Sequence, residues 1–349
     1  MTKEPLRGFI IPLSYHARIP VIRDKRFHSH WECWAIKVGN IRYCGMIRPE
    51  YLKKGDKIAI AAPARKVTKE ELLPAIKLFE KWGLEVFLPD HLFDSENQFA
   101  GCDDTRARLM QGLLDDPSIK AIVCARGGYG TVRIIDKLDF TQFQKVPKWI
   151  VGYSDVTVLH SHIHQQFGIE TLHATMPINI TTDAFANNYP ATDSLRKALF
   201  GKQLEYSCKP HRLNRKGTAE GVLVGGNLSI LYSLCGSKSE IDTTNKILFI
   251  EDLDEYLYHI DRMMMNLKRN GMFDHLLGLV VGQLSDMHDN TIKFGKTAEE
   301  IVSDCVKEYS FPVSFDFPAG HNGLYNHAMI LGRPVTLEVG HETRLQWKA

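Results

Sequence analysis

The sequence predicts an α/β protein: an N-terminal doubly wound parallel-sheet domain followed by a smaller mixed α+β C-terminal domain. Three features predict it. Short apolar runs alternate with helical stretches from Asp56 onward, as strands joined by crossover helices do. Glycine-rich turns fall where two of those runs end, at Arg126-Gly127-Gly128-Tyr129-Gly130 and at Gly152-Tyr153-Ser154-Asp155. At 349 residues the chain exceeds the usual size of a single core, and residues 181–217 shift in texture toward Thr, Asn, Asp and Lys. The expected division is an N-terminal extension (1–45), an α/β domain (46–185), a linker (186–217) and a C-terminal domain (218–349).

The elements follow in order. Lys57 to Ala62 is a buried strand pattern, and a helix runs on to about Trp82, where Gly83 closes it. Thr68 and Glu71 have capping-box spacing at its start, while Pro74 threatens to delay or kink it. Leu84 to Leu88 is a second strand, Thr105 to Leu114 a helix, Lys120 to Cys124 a third strand and Trp149 to Val151 a fourth. The helix after it sets Val156, Leu159, Ile163 and Phe167 on one face. A short helix, Ser194 to Phe200, interrupts the polar passage. Beyond it come Gly221 to Gly226, a helix from Asn227, a strand Lys246 to Ile250, a long helix from about Glu255 to Gly271, and strands near Leu279, Ser314 and Val335. Residues 1–45 show no sustained period; they are either an extension before a functional start at Met46 or an arm that packs on the body.

Composition excludes several classes. With 43 basic and 41 acidic residues, and no basic stripe with interleaved aromatics, the chain has no footprint for nucleic acid. No apolar run approaches the roughly 20 residues of a membrane helix. The 7 cysteines include no C-x-x-C pair, which points to reduced thiols in the cytoplasm, and Phe9 to Leu13 is too short for a secretory core.

Four places could carry chemistry. The glycine loop 126–130 follows a strand, where backbone amides can approach a phosphate or a developing oxyanion; the ordinary alternative is a tight turn. Ser154 stands on a strand-to-helix turn like a nucleophile elbow, although Val156 replaces the second glycine of G-x-S-x-G; otherwise it is an N-cap. Glu251 ends an apolar strand, placed to accept a hydrogen bond from an imidazole, or, with Asp252 and Asp254, to favour the next helix. His321 lies in a loop after Val313 to Phe317, one of 15 histidines. Serine, glutamate and histidine complete a triad inventory: nucleophile, orienting acid and base. His160 and His164 have the spacing of a metal pair, with His162 between them, but lack the H-E-x-x-H glutamate, so no metal is expected. Cys124 reads as a packed thiol.

In this order the motifs resemble the LD-carboxypeptidase family of serine peptidases, which includes the muramoyl-tetrapeptide carboxypeptidases. The resemblance is carried by Gly55-Asp56 with Ala61-Ala62-Pro63, the loop 126–130, Gly152 to Asp155, Ala219-Glu220-Gly221 with Gly225-Gly226-Asn227-Leu228, Leu248 to Asp252 with Ile260-Asp261-Arg262-Met263, and Asp316-Phe317 with Gly320-His321. It covers nearly everything after Met46, and departs from some members where Pro318 and Ala319 intervene before Gly320. It implies Ser154 as nucleophile, Glu251 as orienting acid and His321 as general base, with an oxyanion hole from the amides of Asp155 and of Gly127 or Gly128. It further implies removal of the terminal D-alanine from a muropeptide tetrapeptide in cytoplasmic peptidoglycan recycling, without metal or organic cofactor. Holding the substrate's free carboxylate calls for a cation, for which Arg126 and Arg262 are candidates.

Three rivals remain. The microcin C immunity peptidases share this fold and cleave a peptidyl or aminoacyl nucleotide instead; the Gly-Tyr-Gly loop favours the muropeptide branch. A noncatalytic nucleotide-binding protein should show G-x-G-x-x-G and a ribose-binding acid, and an ordinary α/β hydrolase a full G-x-S-x-G. Oligomeric state is open, a homodimer being one arrangement.

Overall fold

The computed structural model describes residues 46–182 and 189–348, together with the backbone of two earlier strands. Those strands, β1 (Ala35–Val38) and β2 (Ile41–Cys44), pair antiparallel within a unit formed by Met1–Cys44. The other expectations for residues 1–45 lie outside the described residues. Gly45–Ala349 forms a second compact unit with two sheets.

The first sheet runs β4 (Glu85–Phe87), β3 (Lys57–Ala61), β5 (Ile119–Cys124), β6 (Trp149–Gly152) and β7 (Thr171–His173), all parallel. Its central strands are apolar at nearly every position because both faces are covered. Ile58, Ile60, Ala121, Val123 and Val151 face one cluster with Leu72, Ala75 and Phe79 of helix α1 (Lys69–Lys81). The intervening Ala59, Ala61, Ile122, Cys124 and Ile150 face another, with Met110 and Leu113 of α2 (Asp103–Asp115) and Leu159 of α4 (Thr157–Phe167). Between these helices lies the short α3 (Thr141–Lys145). This two-sided cover is the doubly wound arrangement expected. The capping box forms as spaced, Glu71 N donating to Thr68 Oγ1 at 3.3 Å and Thr68 N to Glu71 Oε2 at 2.7 Å, and α1 continues through Pro74.

The second sheet contains the strands β8 (Glu205–Cys208), β9 (Gly217–Asn227), β10 (Lys246–Leu253), β11 (Gly278–Ser285), β12 (Val313–Ser314), β14 (Pro334–Val339) and β15 (Thr343–Trp347). β9 to β12 are parallel neighbours, and β14, β15 and β8 extend the sheet antiparallel beyond β9. One strand crosses over: β13 (Met329–Leu331) pairs antiparallel with β7 in the first sheet. One apolar cluster joins Ile58 and Val151 of the first sheet to Leu223, Phe249 and Val335 of the second, so the core is continuous between them. Among the described residues no helix is long and apolar enough to cross a membrane.

Candidate active site

β6 delivers Ser154 into a left-handed backbone conformation, φ 61°. A non-glycine residue there costs on the order of 1–2 kcal/mol, which the surrounding packing must hold in place. The sharp turn is the geometry of a nucleophile elbow. The missing second glycine has a physical account. Gly152 leaves room for Val156: a Cβ on Gly152 would come within 2.8 Å of Val156 Cγ2.

The glycine loop follows β5 and reaches the same spot. A Cβ on Gly127 would stand 3.2 Å from Ser154 Oγ and 3.5 Å from the Asp155 nitrogen, so only glycine leaves the space beside the hydroxyl open. The Asp155 carboxylate is buried and accepts hydrogen bonds from Thr131 N at 2.9 Å and Thr131 Oγ1 at 2.6 Å. Burial raises its pKa, against the pull of those bonds and of Arg106. Arg106, which the sequence reading passed over, is a buried brace: its guanidinium donates to the carbonyls of Pro63 at 2.5 Å and Gly130 at 2.9 Å. Its signal was Asp103 three residues earlier, with which it forms an ion pair at the start of α2.

Glu251 and His321 come together from opposite sides of β11. Glu251 lies within β10, fully buried, and its Oε2 accepts a 2.6 Å hydrogen bond from His321 Nδ1. The histidine loop is tied down at several points: Phe317 N donates to Val281 O at 3.0 Å, Gln283 N to Ala319 O at 3.0 Å, Gly320 N to Asn326 Oδ1 at 3.0 Å, and Asn322 N to Gln283 Oε1 at 2.9 Å. Pro318 and Ala319 are accommodated because Gly282 has no side chain; a Cβ there would lie 2.4 Å from Ala319 O. Burial of the His321 ring disfavours its charged form, but the Glu251 charge and hydrogen bond, with Asp252 behind them, outweigh burial and raise its pKa. The ring packs edge-on against Tyr153, centroids 4.9 Å apart, one residue before Ser154.

Asp252 has separate work. It accepts from Asn227 Nδ2, Ser229 N and Leu253 N, each at 2.9 Å, and so caps the helix Leu228–Leu234 rather than the one after β10. Burial and the neighbouring Glu251 push its pKa up to about 7.

The remaining candidates fall elsewhere. Arg126 sits at the loop mouth with its Nη1 3.9 Å from Glu71. Arg262 is exposed on helix Leu257–Arg269, its guanidinium over the Tyr258 ring at 5.1 Å. His160 and His164 are buried in α4 and bonded at 2.9 Å to Gly152 O and Thr171 Oγ1 respectively. Among the described residues no cluster of His, Cys, Asp or Glu could hold a metal. Cys124 is fully buried, and burial pushes its thiol pKa up, leaving it unreactive.

Comparison with known proteins gives this geometry a family. Residues 58–174 match the LD-carboxypeptidase N-terminal domain and residues 220–337 the LD-carboxypeptidase C-terminal domain. A probable murein peptide carboxypeptidase of Bacillus subtilis is 37% identical over 278 residues, which cover 78% of this chain and 86% of that protein. The crystal structure of muramoyltetrapeptide carboxypeptidase from Oxalobacter formigenes superposes with a TM-score of 0.76 at 26% identity, covering 84% of this chain and 99% of that one. The microcin C7 self-immunity protein MccF, solved with aspartyl sulfamoyl adenosine, has the same fold, TM-score 0.74 at 20% identity, covering 87% and 98%. The chain therefore belongs to the LD-carboxypeptidase family and is a serine-type carboxypeptidase, a hydrolase.

Proposed function

We propose that the enzyme removes the terminal D-alanine from a muropeptide tetrapeptide at its L,D bond, with Ser154, His321 and Glu251 as triad. The observation that carries this reading is the buried Glu251–His321 pair packed against Tyr153, beside the strained Ser154. Ser154 Oγ attacks the carbonyl carbon while His321 Nε2 takes its proton. The oxyanion settles on the Asp155 amide and one from Gly127 or Gly128. His321 returns the proton to the departing amine, and the C–N bond breaks. Water, deprotonated by the same ring, then attacks the Ser154 ester and frees the acyl product. Arg126 and Arg262 are proposed as cations for the substrate, which carries more than one carboxylate; an unchanged KM in Arg262→Ala would remove that residue from the role.

The matched B. subtilis and O. formigenes proteins, by their names, act on murein or muramoyl peptides, which supports the substrate class. A place in peptidoglycan recycling in the cytoplasm, with no cofactor, follows from the same reading. The test is incubation of purified protein with muramoyl tetrapeptide and detection of released D-alanine. A fluorophosphonate probe that labels the wild type and not Ser154→Ala identifies the nucleophile. The fold shared with MccF keeps a second reading in play, cleavage of a peptidyl or aminoacyl nucleotide, and that substrate belongs in the same assay.

A further inference from the structure

The structure places a third arginine at the site, one that no motif singled out. Arg65 follows β3, and its backbone is fixed by a bridge to Phe99 and by the flanking bonds Ala100 N to Ala64 O at 3.1 Å and Lys66 N to Gln98 O at 3.0 Å. Its stem lies across Gly128: a Cβ built there would come within 2.1 Å of Arg65 Cδ and 3.4 Å of Nε. The adjoining Gly127 is the residue beside Ser154 Oγ. Two consecutive glycines thus touch the hydroxyl on one side and an arginine stem on the other.

Of the arginines nearby, Arg106 and Arg133 are committed to Asp103, and Arg126 stands 3.9 Å from Glu71. The exposed Arg65 guanidinium, by contrast, has no ion-pair or hydrogen-bond partner among the described residues. A carboxypeptidase substrate supplies one, because its free carboxylate lies only two bonds past the scissile amide nitrogen. The planar guanidinium fork suits a carboxylate, and the anchored backbone limits what is lost on binding.

We infer that Arg65 receives the substrate's C-terminal carboxylate and confines cleavage to the last residue of the peptide. This rests on Ser154 being the nucleophile, and it leaves Arg126 and Arg262 to carboxylates further up the peptide. The test is kcat/KM for the tetrapeptide as free acid and as C-terminal carboxamide. Three proteins are compared: wild type, Arg65→Met, which keeps a stem over Gly128, and Arg65→Lys, which keeps the charge. The wild type should prefer the acid. In Arg65→Met, cleavage of the acid should fall roughly 10- to 100-fold while the amide changes less than about 3-fold, the size expected for one charged hydrogen-bonding partner. Arg65→Lys should recover part of the preference. An acid preference retained in Arg65→Met, or an equal loss on both peptides, overturns the assignment while leaving the triad intact. A wild type that cleaves neither peptide overturns the functional reading and this one with it.

Discussion

Replacing Glu251 with Gln removes a charge and almost no volume, so its effect isolates what the carboxylate does for His321. The pair is held at 2.6 Å with the glutamate fully buried, where water screens little. With charge centres about 4 Å apart and an effective dielectric constant of about 20, the attraction between carboxylate and imidazolium is about 4 kcal/mol. Above the pKa of His321 the ring is neutral at rest and becomes imidazolium only on taking the Ser154 proton, so in that pH range this energy enters the transition state and not the resting enzyme. At about 1.4 kcal/mol per factor of ten, kcat should fall roughly 10³-fold with KM little changed. The pH profile is a second, independent readout. Wild-type His321 has its pKa above the ordinary 6.5, so kcat/KM should rise with pH through a limb above that value. In Glu251→Gln burial is opposed only by the more distant Asp252, and the limb should move to lower pH. The assay is D-alanine release between about pH 5 and 9, with both proteins at saturating and limiting tetrapeptide. A loss under 10-fold, or a limb that stays put, would refute the role given to Glu251.

Other expectations follow from the same geometry. The raised His321 pKa makes its pairing with Glu251 stabilise the fold fully below pH 6.5, a contribution lost as pH climbs through the folded-state value; the unfolding free-energy gap between wild type and Glu251→Gln should narrow from pH 6 to pH 9 in urea titrations. Ser154→Gly should be more stable than Ser154→Ala by about 1 kcal/mol in the same titration, because only glycine adopts the positive φ without cost, and both should lack activity. Gly127→Ala should cost roughly 10²-fold or more in kcat, as its methyl enters the space beside Ser154 Oγ; undiminished turnover would exclude the loop from the oxyanion hole. Thr131→Val strips two-fold hydrogen bonding at the buried Asp155 to one bond and should destabilise the protein by about 1–3 kcal/mol, measured by thermal or urea unfolding.

The central strands were legible because a strand covered on both faces is a near-continuous apolar run, as Trp149–Gly152 is throughout, Lys57–Ala61 after its first residue and Ile119–Cys124 apart from Lys120. The strands Thr171–His173, Glu205–Cys208, Met329–Leu331 and Thr343–Trp347 went unread. They are short, and what makes them strands is a partner elsewhere in the chain: Thr171 pairs with Leu331, and Cys208 with Thr343. The helix Ala298–Cys305 was readable in retrospect, since Thr297 and Glu300 repeat the capping box of Thr68 and Glu71. At the site, glycines at strand ends marked the loop and the elbow directly. The partnership of Glu251 with His321 spans 70 residues and has no spacing rule, so it entered through resemblance and not through pattern. Arg65 and Arg106 look alike in the sequence; only packing separates a bare cation from a buried brace.

The crossing of β13 into the first sheet has a bearing on the order in which the fold can close. The strand arrives only a few residues after His321 and lies against β7, whose His173 it helps to bury. A chain still leaving the ribosome can assemble the sheet that bears Ser154, yet one border of that sheet stays bare until residues 329–331 emerge. His321 and that border strand are therefore delivered together. A chain cut before His321 holds Ser154 in a sheet whose border strand has not yet arrived.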